Sequence, residues 1–579
     1  MSVQVIQYLL VPDSSAARRV RRALVENSAR SGILVGTWPE LVETARNAYL
    51  LPDAGDDWDE KLHTALEALR GSFWAESFSV SPHETAIAVE KVFYQLVSAT
   101  DPHSELELAG SGNLPRRPRK HVEDLALLYT KLEGQLPARL SMVRRLLAES
   151  AQYAIQHLCV YYLEGLPHLT RWQTALIEKL NADAGVSLDA QLTSVLKDTL
   201  SGEQLPGVPG GLLTLQKALF RPPGEKTSSD DSVQWVGVRD FLEEAEVAAG
   251  MVQHMLAEHE DLRHSDIGLL LPERFEYSVA VQDAFTLAGL PLSGLPVEHW
   301  QRDLGREALF QFLYCRQKPA PAMALAVCLS SPLMPWSREE GAVLAQTVMD
   351  GDYGLRPFSK AGTDACAMLD LLRKGDETPD SLVQAIQSFI SLLDGGEEYA
   401  GHVQQAKAAA ESACTLLETV SVIDWAALRR AASPKIITTG ESPDFNLEGV
   451  TVWREGHEPW RPVRHLLIFG FAEGSYPSEP GSSPVFVDDD LNAIRDHLGL
   501  PVGTSADELQ RRRARFRRQL AAVSDSARFL VPHRDPHGAD QAPSESLVFM
   551  YQLFDPPKAI DTPEDLVLQL DAVADREHI

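Results

Sequence analysis

The chain has 579 residues, 44% hydrophobic and 23% charged, with 53 Lys and Arg set against 82 Asp and Glu for a net charge of −29. This length exceeds one ordinary hydrophobic core, so three or four domains are expected. The charge excludes a surface that is basic throughout but leaves room for a local basic groove. Five scattered cysteines with no C-x-x-C pair read as reduced core thiols, not as a zinc site or an iron–sulfur cluster.

No run of about 18 apolar residues is present, and the start MSVQVIQYLLVPDSS has no basic n-region or small-residue cleavage site. A soluble, cytoplasmic protein with no membrane contact is expected. VQVIQYLLVP is a buried-strand candidate, and SSAARRVRRALVENSA is a helix with Ser14 or Ser15 as its N-cap. GILVGTWPELVETARNAYL supplies a second strand and helix. Residues 57–100 are helical in pattern, 101–120 read as a loop, and 121–156 hold one or two helices. HLCVYYLEGLPHLTRWQTALIEKL (157–180) is strand, turn and helix.

GEKTSSDDSVQ (224–234) reads as a linker. After it, QWVGVRDFLEEAEVAAGMVQHMLAE is a short strand and a long helix, and 266–294 is strand, helix and short strand. Residues 300–430 are almost wholly helical. Strands return in GVTVWREGHEPWRPVRHLLIFGF (449–471), and a basic helix (506–525) and the strand ARFLVP (527–532) follow.

RDFLEEAEVAAGMVQHML with DIGLLLPERFEYSVAVQDAFTLAGLPLSG resembles the second RecA-like domain of superfamily 1 helicases of the UvrD/RecB kind. VRHLLIFGFAEGSYP resembles that family's strand-and-loop after its "ivG" sequence, and ELQRRRARFRRQLAAVSDSARFLVPHRDPHG its terminal arginine segment. With LCVYYLEGLPHLTRWQTALIEKL added, the chain is most similar to AddB-like subunits of AddAB/RecBCD-type helicase–nucleases. The resemblance implies an α/β fold of two RecA-like domains with helical insertions. The first would span 1–223 and the linker 224–234. The second would comprise 235–299 and 446–555 around a helical insertion at 300–445, leaving a C-terminal tail at 556–579.

The family's chemistry is missing. A P-loop would follow the first strand, where the chain reads LLVPDSSAARRVRR without glycine, and where Asp13 would repel a triphosphate. Arg18 and Arg19 read as solvated helix arginines. Gly-Lys occurs nowhere in the chain. The strand that should end in Asp-Glu ends in CVYYLEG, where Glu164 reads as a turn residue beside Gly165. The family's terminal T-R-A is replaced by AVSDSA. No lysine follows a glutamate by two positions, as an E-x-K nuclease requires, and only Asp59-Glu60-Lys61 has any acid there. Neither catalytic residues nor a cofactor is therefore expected.

What remains is binding. The Arg511, Arg512, Arg515 and Arg518 side chains of RRRARFRR, and Arg116, Arg117, Arg119 and Lys120 in a Pro-containing loop, are the candidate DNA-binding residues. Changing the first four together to Glu should weaken DNA binding by a complex without dissociating it. Trp235, Trp453 and Trp460 near strand ends suit packing, with base stacking as the alternative. His533, Asp535, His537 and Asp540 have metal-ligand chemistry, but the resembled family has a polar turn there and no metal is expected. Gly470, Glu473, Gly474 and Pro477 are expected to preserve a packing turn, not a ligand site.

The resemblance thus implies a non-catalytic subunit that binds DNA, single-stranded or at a duplex end, and scaffolds a separately encoded helicase or nuclease in DNA repair or phage defence. A protein-interaction scaffold without DNA binding and a divergent DNA-dependent ATPase are the alternatives.

Overall fold

The computed structural model describes the chain outside residues 1–3, 28–31, 54–57, 104–110, 223, 225, 229, 296–299, 358–360, 376–377, 397, 419, 421, 435, 439–447, 482, 556–561 and 570–579. Its strands in chain order are β1 (Gln4–Leu10), β2 (Ile33–Gly36), β3 (Gln156–Tyr161), β4 (Thr227–Ser228), β5 (Val233–Val238), β6 (Ile267–Leu271) and β7 (Leu292–Ser293). There follow β8 (Trp300–Arg302), β9 (Ile436–Thr438), β10 (Val450–Arg454), β11 (Val463–Ile468), β12 (Val523–Pro532), β13 (Phe554–Asp555) and β14 (Val567–Gln569). By internal contacts the chain forms two units, Met1–Leu295 with Phe445–Ile579, and Pro296–Asp444.

The first unit is α/β and, besides the short β4–β13 pair, holds two larger parallel sheets. One has three strands in the order β2-β1-β3, and the other has seven in the order β14-β5-β12-β11-β6-β10-β7. Parallel strands need helical crossovers that cover both faces, and β6 shows the consequence: all five residues of IGLLL are buried. Gly268 within it is required by packing, because a Cβ there would lie 2.9 Å from Leu466 and 3.0 Å from Val463 of β11. The outer edges of the short sheet are blunted by side chains. Asn181 accepts the Val160 N–H at 2.6 Å and donates to the Val160 carbonyl, and Arg21 donates to the Val35 carbonyl.

The two sheets share chain segments. Val485, Phe486, Leu491 and Ile494 join the core around β1 and β3, whereas Leu212 and Leu215 of the Gly210–Ala218 helix join the core of the large sheet.

Three expectations need correction. Arg116, Arg117, Arg119 and Lys120 are not in a loop but open the Arg116–Lys131 helix. Pro118 sits in its first turn, where a missing N–H costs no helical bond. The 224–234 segment is more than a linker: Thr227–Ser228 pairs with Phe554–Asp555, and Asp230 accepts the Gly211 N–H. The 556–579 segment contains β14, which extends the large sheet beside β5. Most of the rest of that segment lies outside the described residues.

The second unit is helical apart from the β8–β9 pair. Phe312 and Phe389 stack at 4.1 Å in its core. The Leu304–Arg316 and Ala400–Glu418 helices approach so closely that a Cβ on Gly305 would meet the His402 carbonyl.

Candidate functional site

The Ser14–Asn27 helix follows β1, and its N-terminus is capped by Asp13, not by Ser14 or Ser15: the Asp13 carboxylate accepts the Ala16 N–H at 2.8 Å. The other Asp13 oxygen accepts the backbone N–H of Glu458 at 2.9 Å, from the loop between β10 and β11. Burial pushes the Asp13 carboxyl up, against the pull of both N–H donors.

Glu458 is itself 3% exposed and is held by the Ser505–Ala521 helix. Arg518 grips it with Nε at 2.9 Å and Nη2 at 2.5 Å, and Arg515 Nε lies 3.8 Å away. Burial lowers the pKa of Arg19 on the first helix, and the Glu458 charge offsets only part of the shift. Beside this hub, the guanidiniums of Arg18 and Arg461 lie 4.9 and 4.4 Å from the centre of the Trp460 ring. The N-terminus of the helix after β1 is thus occupied by the Asp13 carboxylate, which also ties it to the Glu458 backbone.

A second internal plug fills the ends of the central strands. Gly470, at φ +61°, donates its N–H to the Glu244 carboxylate. A Cβ at Gly470 would come within 3.0 Å of Pro272 and Tyr277. Glu244 is fully buried, and burial holds its carboxyl well above the usual range despite that N–H. Tyr476 follows, with its hydroxyl donating toward the Leu270 carbonyl of β6 at 3.1 Å and the Phe469 carbonyl at 2.7 Å. Glu455 accepts the Tyr476 and Ser478 N–H groups. In parallel α/β sheets such strand ends usually receive ligands. Here they receive their own loop, in keeping with the packing role expected of Gly470 and its neighbours.

Open space in this unit runs from the Pro82–Ala99 helix to the Ser505–Ala521 helix. Three adjoining depressions of about 510, 430 and 650 Å³ form one groove, the first two sharing Lys91 and Tyr94 and the last two sharing His168 and Arg511. Arg139 and Lys91 stand at one end, and neither makes an ion pair among the described residues. At the other end Arg511 and Arg512 pair with Glu508 at 2.8 and 3.1 Å, and Arg495 pairs with Asp507. Desolvation and the Arg511 charge hold His168 below its usual pKa. The groove is therefore polar and mixed in charge, with Trp58 and Tyr94 as its aromatic surfaces.

The sequence-marked arginines are dispersed. Arg511 and Arg512 line the groove, Arg515 and Arg518 serve the Glu458 hub, and Arg513 lies over Phe220 and Phe549 at 5.1 and 5.3 Å. Arg117 pairs with Asp490 at 3.0 Å and donates to the Val485 carbonyl, while Arg119 donates to the Leu114 carbonyl. Arg116 and Lys120 are exposed. The four changes Arg511, Arg512, Arg515 and Arg518 to Glu would break the seam as well as alter the groove.

Trp235, Trp453 and Trp460 are all buried and serve packing. Glu164 and Gly165 form the corner of a turn closed by the Leu166 N–H on the Leu163 carbonyl, and Glu164 is exposed. Asp535 accepts the N–H groups of His537 and Ala539, which makes the 533–540 segment a self-bonded turn. Among the described residues no group of three or more His, Cys, Asp or Glu is placed to hold a metal ion. No described helix is long and apolar enough to cross a membrane.

With that geometry in place, comparison adds no family: no family model and no curated protein matches the chain. Sequence reasoning missed Glu458, Asp13 as a cap, Lys91 and Arg139. The signal for Glu458 was an acid inside EPWRP, flanked by proline, tryptophan and arginine, which is unusual company for a solvated carboxylate.

Proposed function

We propose that the chain is a non-catalytic, helicase-like subunit of a DNA-processing complex, with the two parallel sheets standing as degenerate RecA-like domains. The observation that carries this reading is the Asp13 carboxylate on the Ala16 N–H at the start of the helix after β1. A helix N-terminus in that position is a natural phosphate cradle, and a fixed carboxylate there repels a triphosphate. In this reading the active partner is a separately encoded helicase or nuclease, bound over an obligate interface of roughly 2,000 Å² or more. DNA, as a single strand or duplex end, follows the groove past Arg139, Lys91 and Arg511.

The test is co-expression with the products of the neighbouring genes, followed by size-exclusion chromatography and DNA binding across a salt series. A stable complex whose DNA affinity falls steeply with salt supports the reading. A chain that elutes alone and leaves the partner's DNA binding unchanged rejects it.

One observation favours a scaffold that binds protein alone. The groove arginines are partly neutralised by Glu508 and Asp507, and the chain carries −29 charges. A complex that forms but binds DNA no better than the partner by itself would select that reading.

A further inference from the structure

We propose that Glu458 is a built-in anion, occupying an arginine cradle between the two sheets that takes a phosphate-type oxyanion once its carboxylate is removed. Two guanidiniums reach that carboxylate from the Ser505–Ala521 helix, Arg518 with two donors at 2.9 and 2.5 Å and Arg515 at 3.8 Å, and the Glu458 charge also raises the pKa of Arg19 on the helix after β1 against the lowering by burial. The Glu458 carboxylate is gripped by two donors of Arg518, and the Glu458 backbone N–H is bonded to Asp13.

The cradle carries more positive charge than its own carboxylate cancels. Arg515 Nε is buried and makes no hydrogen bond, its nearest Glu458 oxygen being 3.8 Å away. Converging guanidiniums of this kind recognise carboxylate and phosphate alike, because both present pairs of anionic oxygens to the planar fork. Packing keeps the cradle shut: Gly202, at φ +73°, lets its loop lie on the Arg518 side chain, where a Cβ would come 2.6 Å from Cγ. The seam thus has an internal ligand and needs no nucleotide to close. This inference concerns the seam alone and stands whether or not the chain binds DNA.

The experiment is thermal unfolding of the full chain and of Glu458→Ala, each in inorganic phosphate and in sodium chloride of the same ionic strength. Loss of a buried counter-charge is expected to lower the melting temperature by about 5 °C. Phosphate should then restore more of that temperature in the variant than it adds to the native chain, where it acts only as a general salting-out ion. A variant that melts with the native chain, or an equal phosphate increment in both, overturns the proposal. If Glu458→Ala yields no folded protein, the arm used is the cycle of Glu458→Gln, Arg518→Met and their combination. A combined loss smaller than the sum supports the shared cradle, and strict additivity overturns it.

Discussion

The Asp13 carboxylate accepts the Glu458 N–H at 2.9 Å across 445 positions of sequence. This bond joins the loop after β1 to the loop after β10. Glu458 in turn is held by Arg518. A part-buried bond between two loops so far apart in sequence makes this contact a matter of stability.

The arginines of RRRARFRR should therefore divide into two classes. Arg518→Glu, which sets a second acid beside a buried carboxylate, is expected to destabilise the chain by roughly 3 kcal/mol or more in urea unfolding. Arg511→Glu should leave the unfolding midpoint nearly unchanged. In the assembled complex, Lys91→Glu with Arg139→Glu should weaken DNA binding and lower the salt slope by about 1 for each phosphate that is no longer neutralised. Equal stability losses in Arg518→Glu and Arg511→Glu would show that the hub has been misassigned.

Stability should fall with rising pH through the titration of Glu244. Its folded pKa is raised well above the ordinary value by burial, so the native state holds a proton that the unfolded state releases from about pH 4.3 upward. The contribution is complete below that unfolded value and is lost as pH climbs through the folded one. Glu244→Gln cannot ionise, so urea unfolding from about pH 5 to pH 9 should show a flatter profile for the variant. Parallel profiles for the two chains would remove Glu244 as the source.

Tyr476→Phe keeps the ring in the core but leaves the Leu270 and Phe469 carbonyls without the hydroxyl they accept from. A loss of about 1–2 kcal/mol is expected, measured by denaturant unfolding. Ring packing would be the sole role of Tyr476 if the variant unfolds at the native midpoint.

Much of the α/β layout was legible because parallel strands buried on both faces write unbroken apolar runs, as in IGLLL of β6 and LLIF at the end of β11. The cap of the Ser14–Asn27 helix was missed at Asp13, because two serines next in sequence offered the same chemistry. The Arg116–Lys131 helix was hidden by Pro115 and Pro118, since proline signals a loop and a first helical turn equally well. β14 was hidden by its length: a strand this short carries no periodicity, and its partner β5 lies far back in the sequence. The site suffered most. Helical spacing showed that the arginines surround their helix, but only the fold assigns Arg515 and Arg518 to Glu458 and leaves Arg511 in the groove.

Calorimetric titration of the full-length chain with Mg–ATP, with and without DNA, bears most directly on the nucleotide-independent seam. No saturable heat and no DNA-stimulated phosphate release are expected into the millimolar range, because Asp13 caps the helix after β1 and Glu458 already holds Arg518. A saturable isotherm, or DNA-stimulated turnover that Glu164→Gln abolishes, would contradict the account.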